Sequence, residues 1–418
     1  MSEPERQRLA VYLGQERIGE LERQGPARYR FTYDGGVVEQ RGEGAIVLSA
    51  SLPARAETYP NGLTRPFFEG LLPEGVARRE IARMLGVSEA NGFGLLGQLG
   101  SDCAGAVVVL PAETAPGTGR GEIRWLSEQE LEERLRDLPR RPLGVMPEEG
   151  IRLSLGGVQH KLIVVRAPDG QIGQPVDGTP STHIIKPGLE AYRDIVVNEA
   201  FCLQVASRTG LEAARAEIRT FGTMETLVVE RFDRTLSGAA SIVRLHQEDL
   251  CQALGVLPEA KYENEGGPSI ATISELLREI GTARDLRWFS QAVLLNFLLG
   301  NSDAHAKNYA LLYDQPSRVR LAPLYDIVST AVYPALTTRL AMSIAGIDDP
   351  AAVDLAAWQS MLNEAGFRPQ PEQLAREAEA VLESARTTRT AAQAEGWYRP
   401  VLDEIVAVAE TRTAQLAR

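Results

Sequence analysis

The change in residue pattern along the chain constrains the fold more than any other feature of the sequence. Short β-like runs separated by turn residues fill residues 9–52, and a second β-rich stretch extends over residues 151–232 around one helical segment. After His246 the apolar residues recur mainly at helical spacing, as they do at residues 270–280 and 401–409. This order predicts an α+β protein in which a β-rich lobe precedes a helical lobe.

Length and local signals divide the chain further. At 418 residues it exceeds the roughly 250–300 residues that one core usually covers, and its 44% hydrophobic residues supply material for more than one core. We predict a small β-rich N-terminal subdomain at residues 1–110, a linker with a short helix at 111–145, a β-rich lobe at 146–234 and a helical lobe at 235–418. In the first subdomain, residues 45–52 are expected to form a strand, residues 66–85 a helix, and the glycines at 92–105 turns or close contacts.

Charge and cysteine content exclude several classes of protein. With 44 basic and 56 acidic residues the net charge is −12, which argues against binding nucleic acid or an anionic membrane through net charge alone. The three cysteines lie far apart and predict neither a disulfide framework nor a Cys-x-x-Cys metal knuckle. The first ten residues carry charges where a signal peptide needs apolar residues, and no stretch reaches the length of about 18 apolar residues that a membrane span needs. We therefore expect a cytoplasmic protein that does not bind a membrane.

The densest group of polar residues follows the apolar residues 293–299. It reads GNSDAHAKN at residues 300–308, so that Asn308 stands five positions after Asp303. The catalytic loop of protein kinases has this spacing: its aspartate accepts or orients the proton of the acceptor hydroxyl, and its asparagine gives an oxygen to Mg²⁺ on the phosphates. The spacing therefore indicates phosphoryl transfer, with Asp303 as the base.

A second aspartate follows this group. Residues 309–312 and 318–321 have the pattern of a hairpin, which leads into Tyr325 and Asp326. Asp326 occupies the place of the second metal-binding aspartate of the kinase fold, although Tyr-Asp-Ile replaces Asp-Phe-Gly. Taken singly, Asp303 is more simply interpreted as a helix cap, His305 as a satisfied polar residue and Asp326 as a turn residue. Their combination favours catalysis.

Segments upstream offer groups for the phosphates of a donor. Residues 152–161 join two β-like runs and supply backbone N–H groups, a hydroxyl and a cation, although they lack the Walker A pattern and a glycine-rich hairpin is an equal alternative. Lys186 ends an apolar strand, where it could pair with phosphates or remain a solvated edge residue. Glu199, on the next helix, is its candidate ion-pair partner.

The run LVVERFDR at residues 227–234 ends another apolar strand. Its charged end, with Glu230, Arg231 and Phe232, stands at the position of the hinge where kinases bind adenine through backbone groups. A strand that simply ends in a surface turn is about as compatible with this segment.

Together these stretches resemble the HipA-type serine/threonine kinases, which are toxin components of bacterial toxin–antitoxin systems. The resemblance rests on SLGGVQHK at 154–161, THIIKP at 182–187, VERFDR at 229–234, HQEDLCQAL at 246–254, KYENEGGP at 261–268, DAHAKN at 303–308 and PLYD at 323–326. In addition, SASLP at 49–53, GLLP at 70–73 and AGAV at 104–107 are similar to the small subdomain that precedes the family's kinase core. The likeness covers nearly the whole chain.

The resemblance implies a protein-kinase-like two-lobed core that uses ATP and Mg²⁺, with Asp303 as catalytic base and Asn308 and Asp326 on the metal. It also implies that the loop at residues 154–161 covers ATP, that Lys186 binds the phosphates and that Ser154 is autophosphorylated. Gly156, Gly157 and His160 depart from the residues common at these positions of the family. The residues expected to contact ATP are Ser154, Gly156, Gly157, Val158, Gln159, His160, Lys161, Lys186, Glu230, Arg231, Phe232, His305, Lys307, Asn308, Tyr325 and Asp326.

The resemblance further implies three partners: a small HipB-like helix-turn-helix antitoxin, operator DNA reached through that complex, and a protein substrate for which an aminoacyl-tRNA synthetase is the candidate. Two other functions stay open beside an active protein kinase. One is a catalytically weak corepressor that mainly docks the antitoxin on operator DNA, and the other is a kinase of a small metabolite. The intact set of Asp303, Asn308, Asp326 and Lys186 favours an active enzyme, because a scaffold needs no such set.

Overall fold

The structure is a computed structural model in which residues 7–25, 27–117, 122–156, 159–237, 241–315, 318–367 and 371–417 are described. Gly157 and Val158 of the predicted phosphate loop lie outside these ranges. Within them, most strands fall in the first half of the chain and the long helices in the second, which confirms the predicted α+β class.

A four-stranded antiparallel sheet begins the chain. Its strands are β1 (Arg8–Leu13), β2 (Glu16–Gly25), β3 (Arg28–Tyr33) and β4 (Val107–Pro111), in the order β3-β2-β1-β4. Every second residue of β3 is buried, and Tyr29, Phe31 and Tyr33 pack into a core that includes Phe67 and Phe68. Residues 8–111, called the N-terminal region below, contribute most of this hydrophobic core.

Four helices lie between β3 and β4: α1 (Gly35–Arg41), α2 (Asn61–Gly70), α3 (Gly75–Leu85) and α4 (Gly92–Leu99). The strand predicted at residues 45–52 is wrong, because these residues form turns with one isolated bridge between Ser49 and Leu52. The single helix predicted at 66–85 is also wrong: Pro73 restricts the residue before it and separates α2 from α3. Most of the predicted glycine turns are part of α4, where a Cβ on Gly97 would come within 3.1 Å of Leu9.

The second sheet has six strands in the order β5-β7-β6-β8-β10-β9. They are β5 (Ile123–Trp125), β6 (Leu162–Arg166), β7 (Ile172–Pro175), β8 (His183–Pro187), β9 (Ala216–Phe221) and β10 (Met224–Glu230). Helix α5 (Glu128–Arg136), the short helix predicted at residues 111–145, begins at a capping box of Ser127 and Glu130, and α6 (Ile195–Arg208) follows β8. Helix α6 packs against β9 and β10 of this sheet.

The remaining strands form two small sheets, one of which includes the strand that directly follows the predicted catalytic loop. They form a two-stranded sheet of β11 (Arg234–Ser237) and β12 (Ser241–Arg244), and a three-stranded sheet of β13 (His246–Asp249), β14 (Ala310–Gln315) and β15 (Arg318–Leu321). The pair β14–β15 is the hairpin that the sequence predicts between the catalytic loop and Asp326.

In the described part of the chain after β13, six α-helices follow: α7 (Leu250–Ala253), α8 (Ile270–Ile280), α9 (Ala283–Leu299), α10 (Leu355–Glu364), α11 (Pro371–Glu395) and α12 (Val401–Leu416). Helix α9 begins at Ala283 because Thr282 and Asp285 form a capping box. It lies in the largest hydrophobic core with residues of α6, α11 and α12. None of the helices in the described ranges combines the length and the apolar character of a membrane span.

Candidate active site

Helix α9 positions the predicted catalytic loop. The helix is buried along its last turns and ends at Gly300, whose φ of 79° is a left-handed conformation that glycine adopts without strain. Just beyond it, Asn301 donates to Asn296 Oδ1 at 2.7 Å and accepts at Oδ1 from the Asp303 N–H at 3.1 Å. The loop therefore leaves a rigid helix with its first residues already fixed.

Asp303 and Asn308, predicted from their spacing, are in direct contact. Asn308 Nδ2 donates to the Asp303 carbonyl oxygen at 3.2 Å, so Asn308 Oδ1 is the amide atom left for a metal ion. Tyr262 Oη donates to Asp303 Oδ1 at 2.8 Å. Solvent reaches Asp303, yet protein atoms surround it on most sides, and this desolvation raises the pKa of its carboxyl, while the hydrogen bond from Tyr262 and the charge of Lys261 oppose the rise.

Lys186 joins two carboxylates. Its Nζ lies 2.7 Å from Glu199 Oε1 on α6, the predicted partner, and 2.7 Å from Asp326 Oδ1. The charge of Lys186 lowers the pKa of Asp326 to about 2, so this carboxylate is ionised at neutral pH. Burial alone would lower the pKa of Lys186, but the two carboxylates reverse the effect and raise it. The three residues form the ion-pair arrangement expected beside a triphosphate.

Asp326 has an uncommon backbone conformation. Its φ of 57° lies in the left-handed region, where a residue with a side chain is strained. Such strain persists where surrounding contacts hold the residue, and it concentrates at functional sites. The ion pair with Lys186 is one such contact.

The described part of the predicted phosphate loop packs against the N-terminal region. Ser154 is only 1% exposed, and its Oγ donates to the Leu71 carbonyl at 2.6 Å. Lys161 Nζ donates to the Gly156 carbonyl, and burial, together with the charge of Lys186, lowers the pKa of Lys161 to about 8. Gln159 and His160 are half-buried, and His160 Nδ1 has no hydrogen-bond partner in the described ranges.

The predicted adenine hinge links two parts of the site. The Glu230 and Arg231 N–H groups donate within the sheet, to Arg215 and Thr182, and the Glu230 side chain is exposed. The Phe232 ring lies 5.6 Å from the ring of Tyr325, measured between centroids. In turn, Tyr325 Oη donates to the Lys307 carbonyl at 2.7 Å, so the hinge is connected to the catalytic loop.

The Arg231 side chain belongs to a buried ion cluster, which we define as Asp102, Arg231, Asp233, Arg234 and Arg244. Asp102 lies 2.9 Å from Arg234 and 3.2 Å from Arg244, and Arg231 binds Asp233 at 2.7 Å. All five side chains are at most 7% exposed. The cluster ties the N-terminal region to the hinge. The charged run at residues 229–234 is the sequence signal for it, but no local pattern identifies Asp102 as its partner.

His305 and Lys307 are buried residues of the predicted catalytic loop. Burial and the charge of Lys261 lower the pKa of His305 to about 3, so its imidazole is neutral, and its ring meets Tyr262 edge-on with centroids 5.2 Å apart. Lys307 Nζ lies 2.7 Å from Asp249 Oδ2 and 3.7 Å from Glu74 Oε1. The side chain of Lys307 is thus engaged in ion pairs.

Glu74 brings the N-terminal region to the catalytic loop. Besides Lys307, it pairs with Lys261, whose Nζ lies 3.2 Å from Glu74 Oε2. Glu74 and Tyr262 are site residues that the sequence reasoning missed. Both lie in or next to stretches that carry the family resemblance, GLLP at 70–73 and KYENEGGP at 261–268, but neither stretch has a local pattern that reveals a role.

The donor atoms of the site fit a magnesium ion bound together with phosphates. Asn308 and Asp326 supply hard oxygen atoms, which Mg²⁺ prefers, and one oxygen of Asp326 is already oriented by Lys186. No group of three or more His, Cys, Asp or Glu residues in the described ranges forms an all-protein metal cage. Magnesium in phosphoryl-transfer sites is usually held by one or two carboxylates plus substrate phosphates, so a cage is not required.

Both parts of the chain are similar to known protein families. A family model for the HipA N-terminal domain matches residues 9–110, and one for the HipA-like C-terminal domain matches residues 153–390. A putative kinase, Y4mE, of Sinorhizobium fredii is 43% identical over 331 residues, which cover 78% of each chain. The serine/threonine-protein kinase toxin HipA of Shewanella oneidensis is 31% identical over 364 residues, 82% of this chain and 80% of the relative.

A solved structure agrees with these matches. The chain superposes with a TM-score of 0.80 and 27% identity on a structure of the Shewanella oneidensis MR-1 toxin–antitoxin system, a complex of HipA, HipB and operator DNA. The alignment covers 98% of this chain and 97% of the other. The chain therefore belongs to the HipA family of serine/threonine kinases, as its motifs predict.

Proposed function

We propose that this chain is the toxin kinase of a HipBA-like toxin–antitoxin module and transfers the γ-phosphoryl group of ATP to serine or threonine of a protein. One observation carries the proposal. Lys186 binds Glu199, which is the lysine–glutamate ion pair that an active protein kinase must have in place, and it also holds Asp326, the proposed metal ligand, at 2.7 Å. A scaffold without catalysis has no need for this arrangement, so it favours the kinase over the corepressor.

The proposed roles follow from the contacts of each side chain. Asp303 accepts the proton of the acceptor hydroxyl, and its exposure leaves it within reach of an acceptor. Lys186 binds phosphate oxygens, and Asn308 and Asp326 hold the metal ion through their oxygens. Magnesium, when bound, neutralises charge on the phosphates during transfer. Lys161, beside Lys186, adds a cation near the donor.

Magnesium dependence tests this function. In calorimetric titrations with ATP, we expect binding to weaken by roughly tenfold or more without Mg²⁺, and likewise in Asp326→Ala with Mg²⁺, because the lost oxygen is a direct ligand. The matched control is Asp348→Ala, which removes a carboxylate from an exposed pair with Arg339 and should bind ATP normally. Equal affinity with and without Mg²⁺, together with no transfer of labelled γ-phosphate, would contradict the proposed function.

We also propose that the kinase phosphorylates its own Ser154 and is thereby inactivated. Ser154 is buried and bonded to Leu71, so its segment must leave this position before the hydroxyl can accept a phosphoryl group. The burial supports the inactivation, because a phosphate adds about −1.5 to −2 charge and three acceptor oxygens that this position cannot hold. The modified segment must stay outside, where its phosphate competes with ATP for Lys161.

Mass spectrometry after incubation with ATP should find phosphate on Ser154 in the wild-type chain but not in Asp303→Asn. Ser154→Ala is the matched variant, since it loses only the hydroxyl and should show no modification in this segment. The phosphorylated form should bind ATP more weakly in calorimetry. An unmodified Ser154 in an active enzyme, or unchanged ATP affinity after modification, would sink the proposal of self-inhibition.

The proposed partners come from the family. The similarity to a HipA chain solved with HipB and operator DNA supports a helix-turn-helix antitoxin, and operator DNA reached through it. Binding of DNA through the antitoxin agrees with the net charge of −12, because a chain with this charge is poorly suited to bind DNA alone. An aminoacyl-tRNA synthetase is the proposed protein substrate. Co-purification with the product of a short neighbouring reading frame would test the antitoxin.

A further inference from the structure

Tyr262 contacts the catalytic aspartate but has no part in the roles described so far. Its phenol oxygen lies 2.8 Å from Asp303 Oδ1, and its ring packs edge-on against His305 of the same loop. Lys261 Nζ lies 5.6 Å from the centroid of the Tyr262 ring. The phenol is thus in contact with the loop through both its hydroxyl and its ring.

The backbone around Tyr262 is also fixed. The N–H groups of Glu265 and Gly267 donate to the Tyr262 carbonyl at 3.0 Å and 2.8 Å. A Cβ on Gly267 would come within 2.3 Å of the Ala260 carbonyl oxygen, so only glycine fits this tight turn. Next to it, the Glu263 carboxylate accepts from the Ser343 hydroxyl at 3.0 Å. The turn holds Tyr262 in place before any ligand binds.

On the basis of the proposed kinase activity, we propose that Tyr262 is a positioning residue: it binds one oxygen of the Asp303 carboxylate and thereby turns the other, Oδ2, toward the acceptor hydroxyl. A carboxylate without this partner would rotate about its terminal bond, because such sp³–sp² torsions are broad. General-base catalysis depends on a base within hydrogen-bond reach of the proton it removes. Fixing one oxygen therefore increases the fraction of time during which the other oxygen is placed to accept the proton.

The same hydrogen bond affects the charge of Asp303. Desolvation raises the pKa of Asp303, and the phenol opposes the rise by donating to the ionised form. The other groups that act on this carboxylate are Lys261, which favours ionisation, and Asp326 and Glu74, which oppose it. His305 stays neutral. The phenol itself remains a donor at neutral pH, because burial and Asp303 raise the pKa of Tyr262.

A blocking role is the competing interpretation. The phenol would then occupy the place of the acceptor hydroxyl, and its removal would increase transfer. The two interpretations predict opposite changes in rate, so one variant separates them.

The test compares Tyr262→Phe with the wild-type chain, with consumption of γ-labelled ATP followed in the presence of dephosphorylated casein so that transfer to protein or to water is counted. We expect kcat to fall by roughly tenfold or more, the size expected for a hydrogen bond to a charged group, with KM for ATP unchanged. A fall in kcat at constant KM separates positioning of the base from a general loss of structure, which would weaken ATP binding as well. Tyr398→Phe is the matched control, since it removes a phenol bound to Asp403 in the C-terminal helices and should leave both readouts unchanged.

The outcomes distinguish this inference from the function on which it rests. If the wild type consumes ATP and Asp303→Asn does not, but Tyr262→Phe leaves kcat unchanged or raises it, the positioning role is wrong and the kinase assignment stands. If the wild type consumes no ATP with Mg²⁺ present, the proposed function fails and the inference fails with it. If Tyr262→Phe melts at the same temperature as the wild type, the change in rate arises at the site and not from unfolding.

Discussion

Replacing Asp303 with asparagine is expected to lower phosphoryl transfer by about 10²–10⁴-fold, the contribution typical of a general base. The amide has nearly the shape of the carboxylate, so its contacts with Asn308 and Tyr262 are retained in outline, but it cannot take up a proton. ATP binding should be close to wild type, because the ion pairs of Lys186 with Glu199 and Asp326 do not involve Asp303. Incorporation of labelled phosphate measures transfer, calorimetry measures ATP binding, and thermal melting measures the stability of the fold.

Asp403→Asn provides a matched control for this variant. Asp403 also accepts a hydrogen bond from a tyrosine, Tyr398, but it lies in α12 and outside the site. It should transfer phosphate at the wild-type rate. Undiminished transfer by Asp303→Asn would remove Asp303 from the role of base, and loss of transfer in both variants would point to an indirect effect on folding.

Asp102→Ala is expected to destabilise the fold by about 3–5 kcal/mol, the usual effect of removing one partner from a buried charge pair. The substitution leaves the buried guanidinium groups of Arg231, Arg234 and Arg244 with Asp233 as the only carboxylate of the cluster. It also removes the acceptor of the Ser181 hydroxyl, which lies 2.7 Å from Asp102. Denaturant unfolding at neutral pH measures the loss.

The pH dependence of stability gives a second check on the cluster. Burial would raise the pKa of Asp102, but the three arginines outweigh it and lower the pKa below the ordinary value. A carboxylate of this kind contributes stability fully above its unfolded pKa and loses it as the pH falls through its lower folded pKa. The difference in stability between wild type and Asp102→Ala should therefore be constant near neutral pH and shrink only in acid.

Glu80→Ala is the surface counterpart. Glu80 pairs with Arg83, which is 69% exposed, and exposed pairs contribute no more than about 1 kcal/mol. If Asp102→Ala lowers the free energy of unfolding as little as Glu80→Ala does, the cluster does not hold the N-terminal region to the hinge.

Spacing and periodicity predicted the local secondary structure around the candidate site. Helix α9, the catalytic loop and the hairpin before Asp326 are continuous in sequence, and the helix follows from apolar residues that recur with helical period. The pairing of Lys186 with Glu199 was also predicted, because a strand and the next helix bring neighbouring segments together. These features depend on interactions over short distances along the chain.

Contacts between distant segments could not be predicted in the same way. Residues 45–52 look like a strand, yet the Ala50 N–H donates to the side chain of Glu248 and Ser49 binds the same carboxylate. A side chain 198 positions away thus takes the place of a strand partner, and alternation of residue types carries no information about it. Glu74, Asp102 and Tyr262 escaped notice for the same reason, since their partners come from remote parts of the sequence.

Glu74 contacts Lys261 and Lys307, so a carboxylate of the N-terminal region contributes to the electrostatic potential around the predicted catalytic loop. Without the Glu74 carboxylate, Lys261 would lose the ion pair at 3.2 Å from its Nζ, whereas Lys307 would keep its ion pair with Asp249. The positive potential that the phosphates of a nucleotide would meet near Lys261 is therefore lower than the sequence of the C-terminal part alone would give, because Glu74 of the N-terminal region partly offsets it.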